Sequence, residues 1–284
     1  MTPPKIQPAE LDKFARFVYE VSGITLDPSK GYLVESRIGS LLKAHSCENY
    51  LEICKKASED TSKVLQGKVI DAISTNETSF FRDSSPFELL KQEILPNQIE
   101  RNNGAMVVSR SINIWSAACS TGQEVYSIAM AAKDALPAFS NGRFKILGTD
   151  ISDAAISKAS AGKYSLFEIQ RGLSQEQIDC NFHCRDESWE IMDEIRKVAR
   201  FQQLNLMRPF NAVGKFDVIF CRNVAIYFSP ESRADLFNRL ADQLKPDGAL
   251  IIGSTESLLG VSDRFDRKES DHSVFYQLRN QDCG

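Results

Sequence analysis

Up to about Asp71 the apolar positions recur at helical spacing. In ELDKFARFVYEVSG, Leu11, Phe14, Phe17, Val18 and Val21 share one face, and Gly23 ends the pattern. GYLVESRIGSLLKAHSC repeats it with Leu33, Val34, Ile38, Leu41 and Leu42. ENYLEICKKA and KVLQGKVIDAIS read as a third and a fourth helix. A small helical domain over residues 1–75 is therefore expected. Arg37 and Lys43 fall on the polar side of its second helix, a face that is either simply solvated or docks a partner.

From Asn113 the period changes. Strands are expected at Ile112–Ala117, Phe144–Thr149, Ala199–Leu204, Phe216–Cys221 and Ala249–Gly253. Helices fall between most of them, at Glu124–Ala135, Asp153–Ala161 and Ser229–Leu244. That alternation specifies an α/β fold with a doubly wound, mostly parallel sheet over residues 76–284. The tail DHSVFYQL reads as one more strand, an antiparallel edge. One stretch, about 175–198, is too long for a single crossover. Its alternating runs Asn181–Cys184 and Trp189–Met192 read as an inserted antiparallel hairpin, making a small β-subdomain.

Composition adds mainly exclusions. The chain has 284 residues, 42% hydrophobic and 25% charged, with net charge -4. No global basic field argues for nucleic acid. No apolar run approaches the roughly 20 residues of a membrane span, so direct membrane insertion is not expected. The beginning, MTPPKIQPAE, has no apolar core of a secretory signal. Seven cysteines, some inside apolar runs (Cys119, Cys221), read as buried free thiols of a reducing cytoplasm. Cys180, His183 and Cys184 match no common zinc spacing, so no metal is expected.

The chemistry concentrates where strands end. NIWSAACSTGQEVYSIAM runs from strand through a tight turn into a helix, a nucleotide-holding arrangement. It lacks both the P-loop and the three-glycine dinucleotide fingerprint. Ala117, Cys119 and Gly122 stand near the fingerprint's glycine positions. A ligand with an adenosine part and no phosphate suits such a turn, and S-adenosylmethionine is the common one. Asp150, in ILGTDIS, ends the second strand, where a carboxylate accepts from ribose hydroxyls; capping the helix at Asp153 is its other reading. FDVIFCRNVAIYF delivers Arg222, Asn223 and Tyr227 to the same sheet edge.

These segments, with STNETSFFRD and LKPDGALIIGSTES, resemble the CheR-type protein-glutamate O-methyltransferases that modify chemotaxis receptors. The N-terminal SGITLDPSKGYLVESRI is similar to that family's first domain. The resemblance implies an S-adenosylmethionine-dependent methyltransferase sheet behind a small all-helical domain that docks receptors, with an inserted β-subdomain. It implies methyl transfer to receptor glutamate carboxylates, with S-adenosylhomocysteine as product. By motif, Asn76, Thr78, Arg82, Glu124, Asp150, Asn205, Leu206, Arg222 and Asn223 would line the cofactor site. Arg82 and Tyr227 would act on the acceptor or on the cofactor's carboxylate. Two other readings stand beside this one: an N-methyltransferase of another substrate, and a non-catalytic S-adenosylmethionine-binding module.

The resemblance also bears on partners: receptor cytoplasmic helices, met in the cytoplasm by a monomer. Some relatives capture a C-terminal receptor pentapeptide by strand addition and carry glycine in the hairpin loop. Here the turn CRDES has no glycine, and Arg185 is followed by Asp186 and Glu187. No tight pentapeptide tether is expected.

Overall fold

The computed structural model describes residues 4–104, 111–136, 139, 142–185, 188–271 and 273–279. Helix α1 (Pro8–Ser22) starts with proline in its first turn and a Gln7/Glu10 capping box. It stops where Gly23 adopts φ +78°. Helices α2 (Gly31–Ala44), α3 (Tyr50–Glu59) and α4 (Val64–Ile73) follow. Their apolar stripes meet in a separate core around Phe14, Ile38, Tyr50, Ile53 and Val69. Arg37 is neither free nor merely solvated. Its Nη1 donates to the carbonyls of Ile73 (2.7 Å) and Ser74 (3.4 Å), tying α2 to the end of α4.

A helical stretch with no strong periodic signal comes next. α5 (Ser85–Leu89) runs through a π turn at Leu90–Ile94 into α6 (Leu95–Gly104). Pro96 lacks an N–H and crowds the preceding turn; the widened π turn just before it accommodates both defects.

The remaining elements are β1 (Ile112–Ala117), α7 (Gln123–Ala135), β2 (Phe144–Asp150), α8 (Asp153–Ala161), β3 (Lys163–Tyr164), α9 (Leu166–Gln170), α10 (Gln175–Asn181), β4 (Phe182–Arg185), β5 (Ser188–Ile191), α11 (Asp193–Arg196), β6 (Ala199–Gln203), β7 (Phe216–Cys221), α12 (Pro230–Gln243), β8 (Leu244–Ile252), β9 (Phe265–Glu269) and β10 (Val274–Leu278). Seven strands make the main sheet, in the order β6-β2-β1-β7-β8-β10-β9. β6, β2, β1, β7 and β8 are parallel; β10 runs antiparallel to both β8 and β9. The tail strand is therefore not the edge. β9 takes that place, and its polar sequence FDRKE, with only Phe265 buried, hid it from hydrophobic patterning.

Alternation along the strands builds two cores. Ile112 and Ile114 of β1, Val218 and Phe220 of β7, and Ala249 and Ile251 of β8 face α5, α6 and α7. Trp115, Ala117, Ile219, Cys221, Leu250 and Ile252 face α12. The inserted hairpin is present as β4 and β5, with β3 added to make a sheet of three, order β3-β5-β4. Arg185 pairs with Ser188, so two residues, Asp186 and Glu187, connect the strands; both lie outside the described residues.

Candidate functional site

β1 hydrogen-bonds β2 on one side and β7 on the other, so the order reverses there. A cleft lies over the carboxyl ends of these strands. Asn76, Thr78, Arg82, Glu124, Asp150, Asn205, Leu206, Arg222, Asn223 and Tyr227 all line it. Ala117 does not. As an odd-numbered residue of β1 it points into the α12-side core and is fully buried there. Ala118, turned by φ +63°, takes its place in the wall.

The turn after β1 is made of small residues in left-handed conformations: Ala118, Ser120 (φ +51°) and Gly122 (φ +95°). A Cβ on Gly122 would stand 2.8 Å from Ala159 Cβ and 3.0 Å from the Tyr164 hydroxyl, so only glycine fits the start of α7. The turn is bound to β2: Cys119 N–H donates to Thr149 O (2.8 Å), and Ser120 N–H donates to Asp150 Oδ2 (2.8 Å). Such a turn disfavours phosphate. The Ser120 amide, which would bind an anion, already holds a carboxylate, and Glu124 occupies the first turn of α7.

Asp150 is 7% exposed. Its Oδ1 accepts from Ser152 N–H (2.9 Å) and its Oδ2 from Ser120 N–H. Ser152 itself caps α8, through a bond from Ala155 N–H (3.0 Å). Burial raises the Asp150 pKa above the usual carboxylate value, against the pull of the Ser152, Ser120 and Ile151 amides. Each oxygen keeps a lone pair, and Asp150 lines the cleft, so two adjacent hydroxyls suit it.

Arg222, at the end of β7, is a clamp. Its Nη1 donates to Glu124 Oε2 (2.9 Å), and its Nη2 donates to Arg82 O (2.8 Å) and Asp83 Oδ2 (2.9 Å). Glu124 also accepts from Ser116 Oγ (2.7 Å). The guanidinium stands 5.6 Å from the centre of the Phe87 ring. Arg222 is thus neutralised by two carboxylates. Arg82 is different: its Nη1 donates to Glu77 O (3.0 Å), and it pairs with no carboxylate among the described residues. Beside it, Phe81 and Asp83 hold φ +47° and +53°. Asn223 also sits in the left-handed region (φ +57°), its N–H donating to Glu256 Oε2 (2.8 Å). Such strain gathers where a site needs fixed geometry.

The helical domain forms one wall, which the sequence did not reveal. Ser22, Ile24, Ile73 and Ser74 line the cleft. The domains are joined beside it: Thr25 N–H donates to Tyr227 O (2.9 Å), and Asn205 Nδ2 donates to Val21 O (3.0 Å). Asn205 Oδ1 accepts from Met207 N–H (2.8 Å), so that side chain is largely committed to the junction. Ser74 Oγ is buried without a hydrogen-bond partner. Among the described residues lining the cleft there is no histidine, and Cys119 is the one thiol. Burial pushes the Cys119 and Cys221 thiols well above their ordinary range, which keeps them protonated. His45 and His183 do not line the cleft, and His272 lies outside the described residues.

Residues 76–274 match the family model described as CheR methyltransferase, SAM binding domain. Residues 9–74 match the one described as CheR methyltransferase, all-alpha domain. The chemotaxis protein methyltransferase Cher2 of Pseudomonas putida is 35% identical over 275 residues, covering 95% of this chain and 98% of its own. Chemotaxis protein methyltransferase 1 of Pseudomonas aeruginosa is 36% identical, with the same coverage of 95% and 98%. The chemotaxis protein methyltransferase of Borreliella burgdorferi is 37% identical over 253 residues, covering 88% of this chain and 89% of its own.

Proposed function

The chain belongs to the CheR methyltransferase family, and from that premise we propose that it methylates glutamate side chains on the cytoplasmic helices of chemotaxis-type receptors, giving methyl esters. S-adenosylmethionine is the cofactor, and when bound it supplies an electrophilic methyl group on a sulfonium. The cleft suits it: a small-residue turn that disfavours phosphate, a nearly buried carboxylate for the ribose, and an unpartnered Ser74 hydroxyl in the wall. In this reading Asp150 accepts from the ribose hydroxyls. Asn205 and Leu206 lie on the adenine side, while Asn76, Thr78 and Glu124 complete the cofactor wall.

The observation that carries this reading is the contrast between the two arginines. Arg222 is neutralised and buried; Arg82 has charge to spare in the same cleft. A free guanidinium orients a carboxylate through its fork. Arg82 serves either the acceptor glutamate or the cofactor's own carboxylate, and Tyr227 lines the approach. A glutamate is already anionic at neutral pH, so no base need remove a proton. The residues act by holding an acceptor oxygen in line and by excluding water.

The deciding experiment is transfer of labelled methyl from S-adenosylmethionine to receptor-containing membranes, followed by mild alkali. Methyl esters release methanol; methyl amides from an N-methyltransferase do not. A non-catalytic module transfers nothing. No helix among the described residues is long and apolar enough to cross a membrane. We also infer no tight pentapeptide tether, because Asp186 and Glu187 in the short hairpin connection repel a terminal carboxylate and no glycine eases the turn.

A further inference from the structure

Glu256 works behind the cleft rather than in it. β8 ends at Ile252, and the chain then turns, with Glu256 N–H donating to Gly253 O (2.9 Å). The Glu256 side chain closes this turn from the other side. Its Oε2 accepts from Gly253 N–H (2.8 Å) and from Asn223 N–H (2.8 Å), so one oxygen ties the end of β8 to the residue after Arg222. A Cβ on Gly253 would stand 2.6 Å from that oxygen and 2.9 Å from Asn223 Nδ2, so glycine lets the carboxylate and the Asn223 side chain lie this close. The turn is anchored on both flanks. Leu258 is buried in the α12-side core, and Ser254 Oγ donates to Asp83 Oδ2 (3.5 Å), the carboxylate that Arg222 also holds.

Two costs meet at this corner. Asn223 holds φ +57°, a left-handed conformation that glycine adopts freely. Glu256 Oε1 is buried and accepts no hydrogen bond among the described residues, and a carboxylate oxygen stripped of solvent without a partner is unfavourable. If the corner served folding alone, glycine at position 223 would remove the first cost and make the second needless. What glycine would lack is the side-chain amide, and Asn223 lines the cleft. Local costs kept in this way mark a functional requirement.

We propose that Glu256 is a positioning residue for the cofactor site: by holding Asn223 N–H in the left-handed turn, it keeps the Asn223 amide on the wall of the cleft that binds S-adenosylmethionine. That amide offers both donors and an acceptor to a polar group of the cofactor. Glu256 does not line the cleft and acts only through the backbone of Asn223 and Gly253. Without its oxygen, Asn223 relaxes out of the left-handed region and carries its side chain off the wall. Affinity then falls with the fraction of molecules that keep the competent turn. The inference concerns the cofactor alone, so it stands apart from the choice of acceptor and is tested without a receptor.

The test is calorimetric titration of S-adenosylhomocysteine into the full chain. Glu256→Ala is expected to weaken binding about tenfold, equivalent to about 1.4 kcal/mol. Glu256→Gln keeps an acceptor oxygen at the same reach and should stay within about threefold of wild type. Glu256→Asp is one methylene short and should resemble alanine. Asn223→Gly should weaken binding by itself, because it removes the amide. In that background Glu256→Ala should add less than about twofold, since glycine holds the left-handed turn unaided. A residue that merely stiffened the fold would cost the same in both backgrounds. The proposal is overturned by unchanged affinity in Glu256→Ala or in Asn223→Gly, by equal Glu256→Ala losses in the two backgrounds, or by Glu256→Gln binding as weakly as Glu256→Ala. Should Glu256→Ala not fold, Glu256→Asp runs the same comparison against Asn223→Gly.

Discussion

Replacing Arg222 by methionine keeps most of the apolar stem and removes the clamp. The side chain of Arg222 is 2% exposed, that of Glu124 is 13% exposed, and that of Asp83 is 37% exposed. The bond to Asp83 is solvent-screened and worth at most about 1 kcal/mol. The bond to Glu124 is not. Removing one partner of a buried pair leaves an uncompensated charge, at a cost of roughly 3–5 kcal/mol. Partial exposure of Glu124 places the sum near the lower end, about 3 kcal/mol. At about 2–4 °C per kcal/mol, the melting temperature should fall by about 6–12 °C. Because Arg222 also holds the Arg82 carbonyl at 2.8 Å, activity should fall more than cofactor affinity. Scanning calorimetry measures the first effect, and methyl transfer against cofactor titration measures the second. The decisive comparison adds Glu124→Gln. If the buried pair is the cause, the double variant recovers about 1–2 kcal/mol relative to the sum of the singles. Additive losses, or an Arg222→Met variant melting with wild type, would refute the clamp.

The remaining predictions concern the cofactor, the acceptor and the tether. Asp150→Ala should weaken S-adenosylhomocysteine binding by roughly 1–3 kcal/mol by calorimetry, the range for hydrogen bonds to a charged group. Burial raises the free-state pKa of Asp150, and hydroxyl donors favour its ionised form, so affinity should be full above that raised pKa and fall on acidification through it; Asp150→Asn should flatten this dependence. The same raised pKa means that the folded state binds the proton more tightly than the unfolded chain, so this group's contribution to stability falls as pH rises through the window between the two values. Arg82→Ala should nearly abolish methylation while shifting the melting temperature by only a few degrees, since Arg82 makes no ion pair among the described residues. A receptor C-terminal pentapeptide should show no micromolar binding in a titration; a dissociation constant near that level, about -8 kcal/mol, would restore the tether.

Most of the sheet could be read in the sequence because β1, β7 and β8 are largely buried on both faces and the helices carry one apolar stripe. The hidden pieces each lacked that signal. β9 buries only Phe265, β3 has two residues, and the α5–α6 stretch is interrupted by Pro96. At the site, residues with one local role were legible: Asp150 ends a strand, and Asn223 and Tyr227 follow one. Long-range roles were not. Arg222 lies 98 residues from Glu124 and 139 from Asp83, and Arg37 reaches 36 residues to Ile73. No spacing rule joins such pairs. Ala117 failed for a local reason instead. It is the last residue still obeying strand alternation, and the left-handed turn into the cleft begins one position later, at Ala118.

The helical domain changes meaning once its place in the cleft is known. A domain that only docked a partner would need no contact with the cofactor wall. Here Ser22, Ile24, Ile73 and Ser74 line the cleft, Val21 O receives Asn205, and Thr25 N–H holds the carbonyl of Tyr227. Arg37 runs back from α2 to the Ser74 carbonyl, at the root of the segment that carries Asn76, Thr78 and Arg82. A ligand filling the cleft therefore contacts both domains and stabilises their docked arrangement by mass action. Coupling between two sites is reciprocal. If a partner bound to the helical domain shifts α1 or α2 and thereby changes cofactor affinity, the cofactor must change that partner's affinity by the same factor. The helical domain is in this sense part of the cleft.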